Sequence, residues 1–250
     1  DVRRKFIFPN PAELFGGFLM ENSYESGFAF VLEGATERVF YERLLYFFAR
    51  KHPNCSIEKN QDSETFETFF TVRGPFGVRI IKMNAVGTIT QIHNSANWFQ
   101  NNCVQAKGKK IPWTVFLCYD TDSYNADVTK FYKGDWETFR KMINTQRGVK
   151  KIVDMAGGAD IEDIFLLDLH GISCFMGLDS DLTQEDIPSG RKGSAKLKQL
   201  FIEQRRLCRT QAVYHKGERA KKLIDALDMQ KILDCSVLPF EQVEQIFKME

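Results

Sequence analysis

The sequence lacks the long apolar runs and the excess of one charge that would assign a protein class directly. No apolar run approaches the roughly 20 residues that a membrane span needs, and no secretory signal is visible. Lys and Arg number 34 against 33 Asp and Glu, and the net charge of +1 excludes a wholly basic nucleic-acid coat protein. The 22 phenylalanines supply core material that a disordered chain lacks. We therefore expect a globular, cytoplasmic protein.

Several short signatures of known chemistry are also absent. The six cysteines are widely spaced without a C-x-x-C pair, which argues against a disulfide framework and a cysteine zinc site. Cys118 and Cys174 stand in apolar runs and are predicted to be buried free thiols. No G-x-x-x-x-G-K-[ST] sequence occurs, so the chain has no P-loop. The four histidines lack metal-ligand spacing, and no G-x-S-x-G supports serine hydrolysis.

Strand-like and helix-like segments alternate from residue 28 to residue 170, which predicts an α/β fold with a mainly parallel sheet flanked by helices. The clearest buried strands are 28–32 and 112–119, and a helix is predicted over 36–50, with Thr36 as its cap. We divide the chain into three predicted regions. They are an N-terminal arm (1–27), an α/β core (28–183), and a basic, mainly helical C-terminal region that completes the site (184–250).

Acidic side chains follow both buried strands. Glu33 ends the first strand, and Glu37 lies in the first turn of the helix behind it. Asp120 and Asp122 follow the second strand directly. Because ligands of parallel sheets bind at the carboxyl ends of the strands, these carboxylates could share a cation such as Mg²⁺. Local roles are the alternative: Glu37 suits a helix N-terminus, and the aspartates suit an Asx turn.

Two further elements lie later in the chain. Asp160 and Glu162 follow a pair of glycines and could hold a second metal ion, although Asp160 also suits a helix N-cap. Lys216 precedes Gly217 and could approach a phosphate or a developing negative charge, but a capping loop with an exposed lysine explains it equally.

In chain order, a strand with E-x-x-x-E, a strand with D-x-D, then D-x-E and K-G-x-x-A resemble the Toprim domain, most closely that of OLD-family (overcoming lysogenization defect) nucleases. The resemblance covers about residues 28–220, and Asp160 stands where the family usually has a hydroxyl residue. The matching residues are Glu33, Glu37, Asp120, Asp122, Asp160, Glu162 and Lys216. The resemblance implies a Rossmann-like Toprim core.

The resemblance also implies an activity. Family members are two-metal nucleases, so the six carboxylates would hold two Mg²⁺ or Mn²⁺ ions, with Glu33 and Lys216 as catalytic residues. The chain resembles stand-alone effectors of bacterial antiphage systems, which implies an endonuclease acting on DNA or RNA. Its control would come from a separate ABC-type ATPase or from self-assembly as a homodimer. The alternatives are an RNA-processing Toprim nuclease and a non-catalytic Toprim sensor or binding module.

Basic residues are concentrated near the end of the sequence. Residues 191–222 hold eleven Lys and Arg against two Glu, a net charge of +9, so the rest of the chain carries −8. A basic segment on an acidic body suits binding to a nucleic-acid backbone, although a solvated helix face would look the same. The predicted contact residues are Lys192, Lys196, Arg205, Arg206, Arg209 and Arg219. The apolar positions of the tail after Leu223 either pack on the core or dock a partner.

Overall fold

The computed structural model describes residues 24–87, 92–105, 111–120, 133–146, 148–157, 160–190, 192–210 and 212–249. Most of the N-terminal arm and Asp122 therefore lie outside the described residues, and the three predicted regions stay a prediction. None of the described helices combines the length and apolar composition that crossing a bilayer requires.

A six-stranded sheet in the order β2-β3-β4-β1-β5-β6 forms the centre of the molecule. Four neighbouring strands, β4, β1, β5 and β6, run parallel, whereas β2, β3 and β4 form an antiparallel meander at one side. The predicted α/β fold with a mainly parallel sheet flanked by helices is thus confirmed. The strands are β1 Ser26–Leu32, β2 Ser56–Gln61, β3 Thr68–Gly74, β4 Gly77–Ala85, β5 Trp113–Asp120 and β6 Val149–Gly157.

Helices cover both faces of this sheet. One face packs on α1 and on the C-terminal helices, and the other packs on α2, the π-helix behind it and α3. The helices are α1 Ala35–Lys51, α2 Ile92–Trp98, the π-helix Phe99–Gln105, α3 Lys133–Asn144, α4 Glu162–Phe165, α5 Leu169–Met176, α6 Gly193–Glu203, α7 Lys221–Ala226, α8 Met229–Cys235 and α9 Phe240–Glu244. Four short 3₁₀ turns lie at Gln184–Asp186, Gln204–Arg206, Gly217–Ala220 and Gln245–Phe247.

The alternation of side chains along β1 explains the two faces. Phe28, Phe30 and Leu32 point toward α1, while Ala29 and Val31 point toward the α2 and α3 side. All five residues are buried, because a central parallel strand is covered on both faces. The run of apolar residues in the sequence is the expected signature of such a strand.

The C-terminal helices belong to the first of these two cores. Leu223, Ile224, Ile232 and Val243 are almost fully buried in the same cluster as α1. Arg79 of β4, itself buried, donates to the backbone carbonyl oxygens of Gln245, Ile246 and Lys248 at 2.9–3.0 Å. The apolar tail therefore packs on the α/β core.

Two local expectations need correction, and one strand was not predicted. Cys118 is buried as predicted, but Cys174 is exposed, because it faces outward on the amphipathic helix α5. Thr36 does not cap α1: the helix begins at Ala35, and the Thr36 hydroxyl accepts a hydrogen bond from the Gly217 amide. Strand β2 was not predicted, because its sequence is polar and most of its side chains are exposed.

Candidate functional site

The candidate site lies where β1 and β5 end side by side. The chain leaves β1 through α1 toward β2, and it leaves β5 toward β6 on the opposite side of the sheet. This divergence is a topological switch point, the place where open α/β sheets bind ligands. Glu33 follows β1 and Asp120 ends β5, and the Asp120 amide donates to Glu33 Oε2 at 3.1 Å. The two predicted acidic elements are therefore adjacent.

Glu37 lies in the first turn of α1 and is 9% exposed. A side chain at Gly34 would place its Cβ 3.0 Å from Glu37 Oε2, so glycine leaves room for this carboxylate. Burial raises the pKa of Glu37 to about 7, and the charges of Glu33 and Glu162 add to the rise. The carboxylates of the first and third acidic elements therefore influence each other.

The same surroundings raise the pKa of Asp120 further than that of Glu37. Burial, followed by the charges of Glu33, Glu37, Asp160 and Glu162, raises the pKa of Asp120 well above its usual range. Five carboxylates thus converge on one region, although they come from three separate parts of the chain. Such mutual repulsion is the condition that a bound cation relieves.

Glu162 begins α4, and its side chain is 1% exposed. Its Oε1 accepts a hydrogen bond from the Tyr214 hydroxyl and lies 3.3 Å from Lys216 Nζ. Its Oε2 is buried and has no hydrogen-bond partner among the described residues. Burial raises the pKa of Glu162, while Lys216 and Tyr214 oppose the rise. Burying a carboxylate oxygen without a hydrogen-bond donor destabilises the folded protein, and a cation bound to that oxygen would offset the loss.

Asp160 lies close enough to influence Asp120, and it also bonds a residue of α6. Both of its carboxylate oxygens accept from the Ser194 amide, at 3.1 and 3.2 Å. The predicted N-cap role is not the observed one, because α4 begins two residues later and Ile161 stands at its cap position. Asp160 therefore joins α4 to the start of α6 while its charge acts on Asp120.

Lys216 reaches the site from the C-terminal part of the chain. The Gly217 amide donates to Thr36 Oγ1 at 2.8 Å, which fixes the lysine loop against the first turn of α1. About half of the lysine side chain remains exposed. Burial alone would lower the pKa of Lys216, but the carboxylates of Glu162 and Asp160 outweigh it and raise this pKa. The lysine is therefore charged and accessible to an anionic ligand.

An open cavity of about 460 Å³ lies at the carboxyl end of β4, and neither Lys216 nor any of the five site carboxylates lines it. Asn84 and Ala85, at the carboxyl end of β4, line it together with Arg38 and Glu218. Arg38 and Glu218 form an ion pair across it, and they follow Glu37 and Lys216 closely in the chain.

Of the predicted metal ligands, the described residues bring together Glu33, Glu37, Asp120, Asp160 and Glu162, and Asp122 lies outside them. No group of three or more Asp, Glu, His and Cys is already arranged around a metal position in the part of the chain that the structure describes. A metal-binding centre is therefore not preformed among these residues.

Sequence reasoning missed Tyr214, Ser194 and Thr36, which hold Glu162, Asp160 and the Lys216 loop in place. Their contacts span more than 30 residues of sequence, so no local pattern could reveal them. The predicted nucleic-acid contacts are divided. Arg205, Arg206, Arg209 and Arg219 are exposed, although Arg209 also pairs with Asp179, and Lys196 pairs with Asp163 at 3.0 Å.

Comparisons with known proteins give little similarity. No protein-family model and no curated protein matches the sequence. A futalosine hydrolase mutant of Helicobacter pylori strain 26695 is 9% identical over 54% of this chain and 67% of that chain, with a TM-score of 0.24. The 5'-methylthioadenosine/S-adenosyl homocysteine nucleosidase of Campylobacter jejuni is 12% identical over 82% and 95%, with a TM-score of 0.25. At these scores the two structures carry no argument about the present chain.

These findings correct the family assignment. The predicted membership in the Toprim superfamily, close to the OLD family, is wrong, since no protein-family model and no curated protein matches the sequence. The predicted Mg²⁺- or Mn²⁺-dependent phosphodiester endonuclease with an antiphage role is wrong with it, as are the RNA-processing and non-catalytic Toprim alternatives. The order of four short acidic and basic elements was too weak a signature to establish a family.

Proposed function

We propose that the carboxylates at the ends of β1 and β5 bind a divalent cation, Mg²⁺ or Mn²⁺, and that this cation and Lys216 together hold a phosphate-bearing ligand. The observation that carries the proposal is the buried Glu162 Oε2, which has no hydrogen-bond partner among the described residues. It lies among carboxylates whose charges raise the pKa values of Glu37 and Asp120. Oxygen donors of this kind are the ligands that Mg²⁺ prefers.

The side chains at the site supply carboxylate oxygens, which are suitable ligands for a divalent cation. Glu33, Glu37, Asp120 and Glu162 would hold it after small side-chain rotations, and Asp160 would add negative charge beside them. A bound divalent cation would neutralise the carboxylates and polarise a phosphate oxygen. Lys216, charged and half-exposed, would contact the same phosphate from the other side.

Calorimetric titration with MnCl₂ and MgCl₂ tests the cation site. We expect Glu162→Gln and Asp120→Asn to lower the cation affinity at least about tenfold, or roughly 1.4 kcal/mol. Glu241→Gln, an exposed change on α9, serves as the matched control and should bind like the wild type. Absence of cation binding in the wild type, or equal affinity in all four proteins, would refute the proposal.

The role of Lys216 needs a separate titration. In the presence of Mn²⁺ we expect inorganic phosphate to bind the wild type, and the Lys216→Gln variant to bind phosphate more weakly without any loss of Mn²⁺ affinity. Phosphate binding that is the same in both proteins would remove Lys216 from the proposed ligand site while leaving the cation site intact.

A further inference from the structure

A second cavity lies along the outer face of α1, and none of the five site carboxylates lines it. Its volume is about 640 Å³, and its walls are α1, the segment Cys55–Lys59 and the region from Glu218 to Asp225. Val39, Ala49 and Ile57 give it an apolar side. Four cationic side chains and three carboxylates complete the lining, namely Arg43, Arg50, Lys59 and Lys221 with Glu42, Glu218 and Asp225.

Most of these charges neutralise each other. Lys59 pairs with Glu42 at 2.6 Å, Lys221 pairs with Asp225 at 2.6 Å, and Glu218 pairs with Arg38 outside the cavity lining. The two arginines differ from this pattern. In the part of the chain that the structure describes, Arg50 has no acidic partner at salt-bridge distance.

Arg43 forms a long salt bridge with the Asp225 carboxylate. Its Nε lies 3.6 Å from Asp225 Oδ1, which is too long for a hydrogen bond, and that nitrogen is buried without a hydrogen-bond partner among the described residues. Burial, followed by repulsion from Arg50, lowers the pKa of Arg43. Both guanidinium groups therefore line the same cavity and repel each other, a repulsion that a bound anion would relieve.

The spacing of these groups indicates one ligand. Arg43 and Arg50 are seven residues apart on α1, two helical turns, so they lie on one face with Tyr46 between them. Guanidinium groups bind phosphate through paired N–H donors, and a phosphate monoester carries close to two negative charges near neutral pH. The apolar wall formed by Val39, Ala49 and Ile57 would contact an apolar body attached to that phosphate.

We propose that this cavity is a second ligand site, which binds a phosphate monoester with an apolar body through Arg43 and Arg50. The site is separate from the cation site, because its donors are arginines on the outer face of α1 and it needs no divalent cation. Its occupant would contact the same helix whose first turn holds Glu37.

Calorimetry with phenyl phosphate, in EDTA to remove divalent cations, tests this site. We expect the wild type to bind the probe and Arg50→Gln to bind it at least about tenfold more weakly. Arg50 is exposed, so its substitution leaves the fold intact. Arg43→Gln should have the same effect, while Arg205→Gln, an exposed arginine outside the cavity, should bind like the wild type.

Further probes and variants separate the outcomes. Phenol should not bind, and benzoate should bind more weakly than phenyl phosphate. Glu162→Gln and Lys216→Gln should keep their phenyl phosphate affinity, so this result is independent of the proposed cation site. The proposal is overturned if the wild type does not bind phenyl phosphate, if Arg50→Gln binds it equally well, or if benzoate binds as tightly.

Discussion

Individual buried carboxyl groups near the ends of β1 and β5 lower the stability of the folded protein when they ionise. Glu37 is the clearest case, because its pKa of about 7 in the folded protein lies above the value of 4.5 for the unfolded chain. A carboxyl group with a raised pKa binds its proton more tightly in the folded state. Its contribution therefore favours folding at low pH and is lost as the pH rises from about 4.5 to 7.

We predict that Glu37→Gln stabilises the cation-free protein at pH 7.5 by about 3 kcal/mol relative to the wild type, and has little effect at pH 4.5. Urea denaturation at the two pH values, with EDTA present, measures the difference. The control Glu241→Gln changes an exposed glutamate on α9 and should not alter the pH dependence. A stabilisation that is equal at both pH values would show that ionisation of Glu37 is not its cause.

The residues of the site differ in how far the sequence could reveal them. Glu33 and Asp120 were predictable, since each follows an apolar strand and parallel strands end at one edge. Tyr214 and Ser194 were not, because their contacts to Glu162 and Asp160 depend on how the C-terminal helices fold back. The exposure of Cys174 was missed for a related reason, as apolar neighbours do not tell which face of a helix is covered.

Among the elements, the start of α6 is packed unusually tightly against the start of α4. A Cβ atom at Gly193 would lie 2.2 Å from the Asp163 nitrogen and 2.6 Å from the Glu162 carbonyl carbon. Both contacts are with backbone, which cannot move aside without shifting the helix. Only glycine therefore allows Ser194 to donate to Asp160 at this distance.

We predict that Gly193→Ala destabilises the protein by about 2 kcal/mol or more, because α6 must move away from α4. It should also weaken Mn²⁺ binding, since Asp160 and Glu162 would lose their present positions. Gly190→Ala is a matched control, because the nearest atom to its new Cβ would be Lys196 Cγ at 3.6 Å. Equal stability of the two variants by urea denaturation would contradict this account.

The basic segment 191–222 is the other element with a testable role. We propose that its exposed arginines bind a nucleic-acid backbone, and we predict that affinity for a DNA or RNA duplex falls steeply with salt concentration. Changing Arg205, Arg206 and Arg209 to Glu should abolish this binding. Fluorescence anisotropy at several salt concentrations measures it, and a flat salt dependence in the wild type would indicate a solvated face instead.

At the scale of the whole molecule, ion pairs and hydrogen bonds of Glu244 hold the end of α9 against the end of α1. Glu244 lies 3.0 Å from His52 Nε2, 3.3 Å from Lys51 Nζ and 2.6 Å from Lys248 Nζ. Burial alone would raise the pKa of Glu244, but hydrogen bonds from these three residues lower it to about 2. A depressed carboxyl pKa adds stability above about pH 4.5, and this stability is lost as the pH falls toward 2.

Together, Glu244 and Glu37 predict where the cation-free protein is most stable. The stabilising contribution of Glu244 is lost as the pH falls below about 4.5, and ionisation of Glu37 lowers the stability as the pH rises above it. We therefore expect the free energy of unfolding to be greatest near pH 4.5. Glu244→Gln should remove on the order of 2–3 kcal/mol at pH 6 and nothing at pH 2. Thermal unfolding across this range provides the measurement, and a maximum near pH 7 in EDTA would contradict it.

The overall architecture was more predictable from the sequence than the contacts that join its helices and strands. The alternation of apolar strands and amphipathic helices is enough to indicate a parallel sheet, because each element must bury one face. The polar edge strand β2 and the attachment of the C-terminal helices through Arg79 left no such pattern. Family membership was least predictable, since acidic pairs at strand ends arise in many α/β proteins.

The position of β1 at the middle of the sheet has a consequence for synthesis of the chain. β1 leaves the ribosome first, but its partners β4 and β5 follow only about 50 and 90 residues later. Its apolar side chains therefore have no cover during that interval, which makes the nascent chain vulnerable to aggregation. Lys216 emerges later still, so the proposed ligand site remains incomplete until residue 216 has been translated.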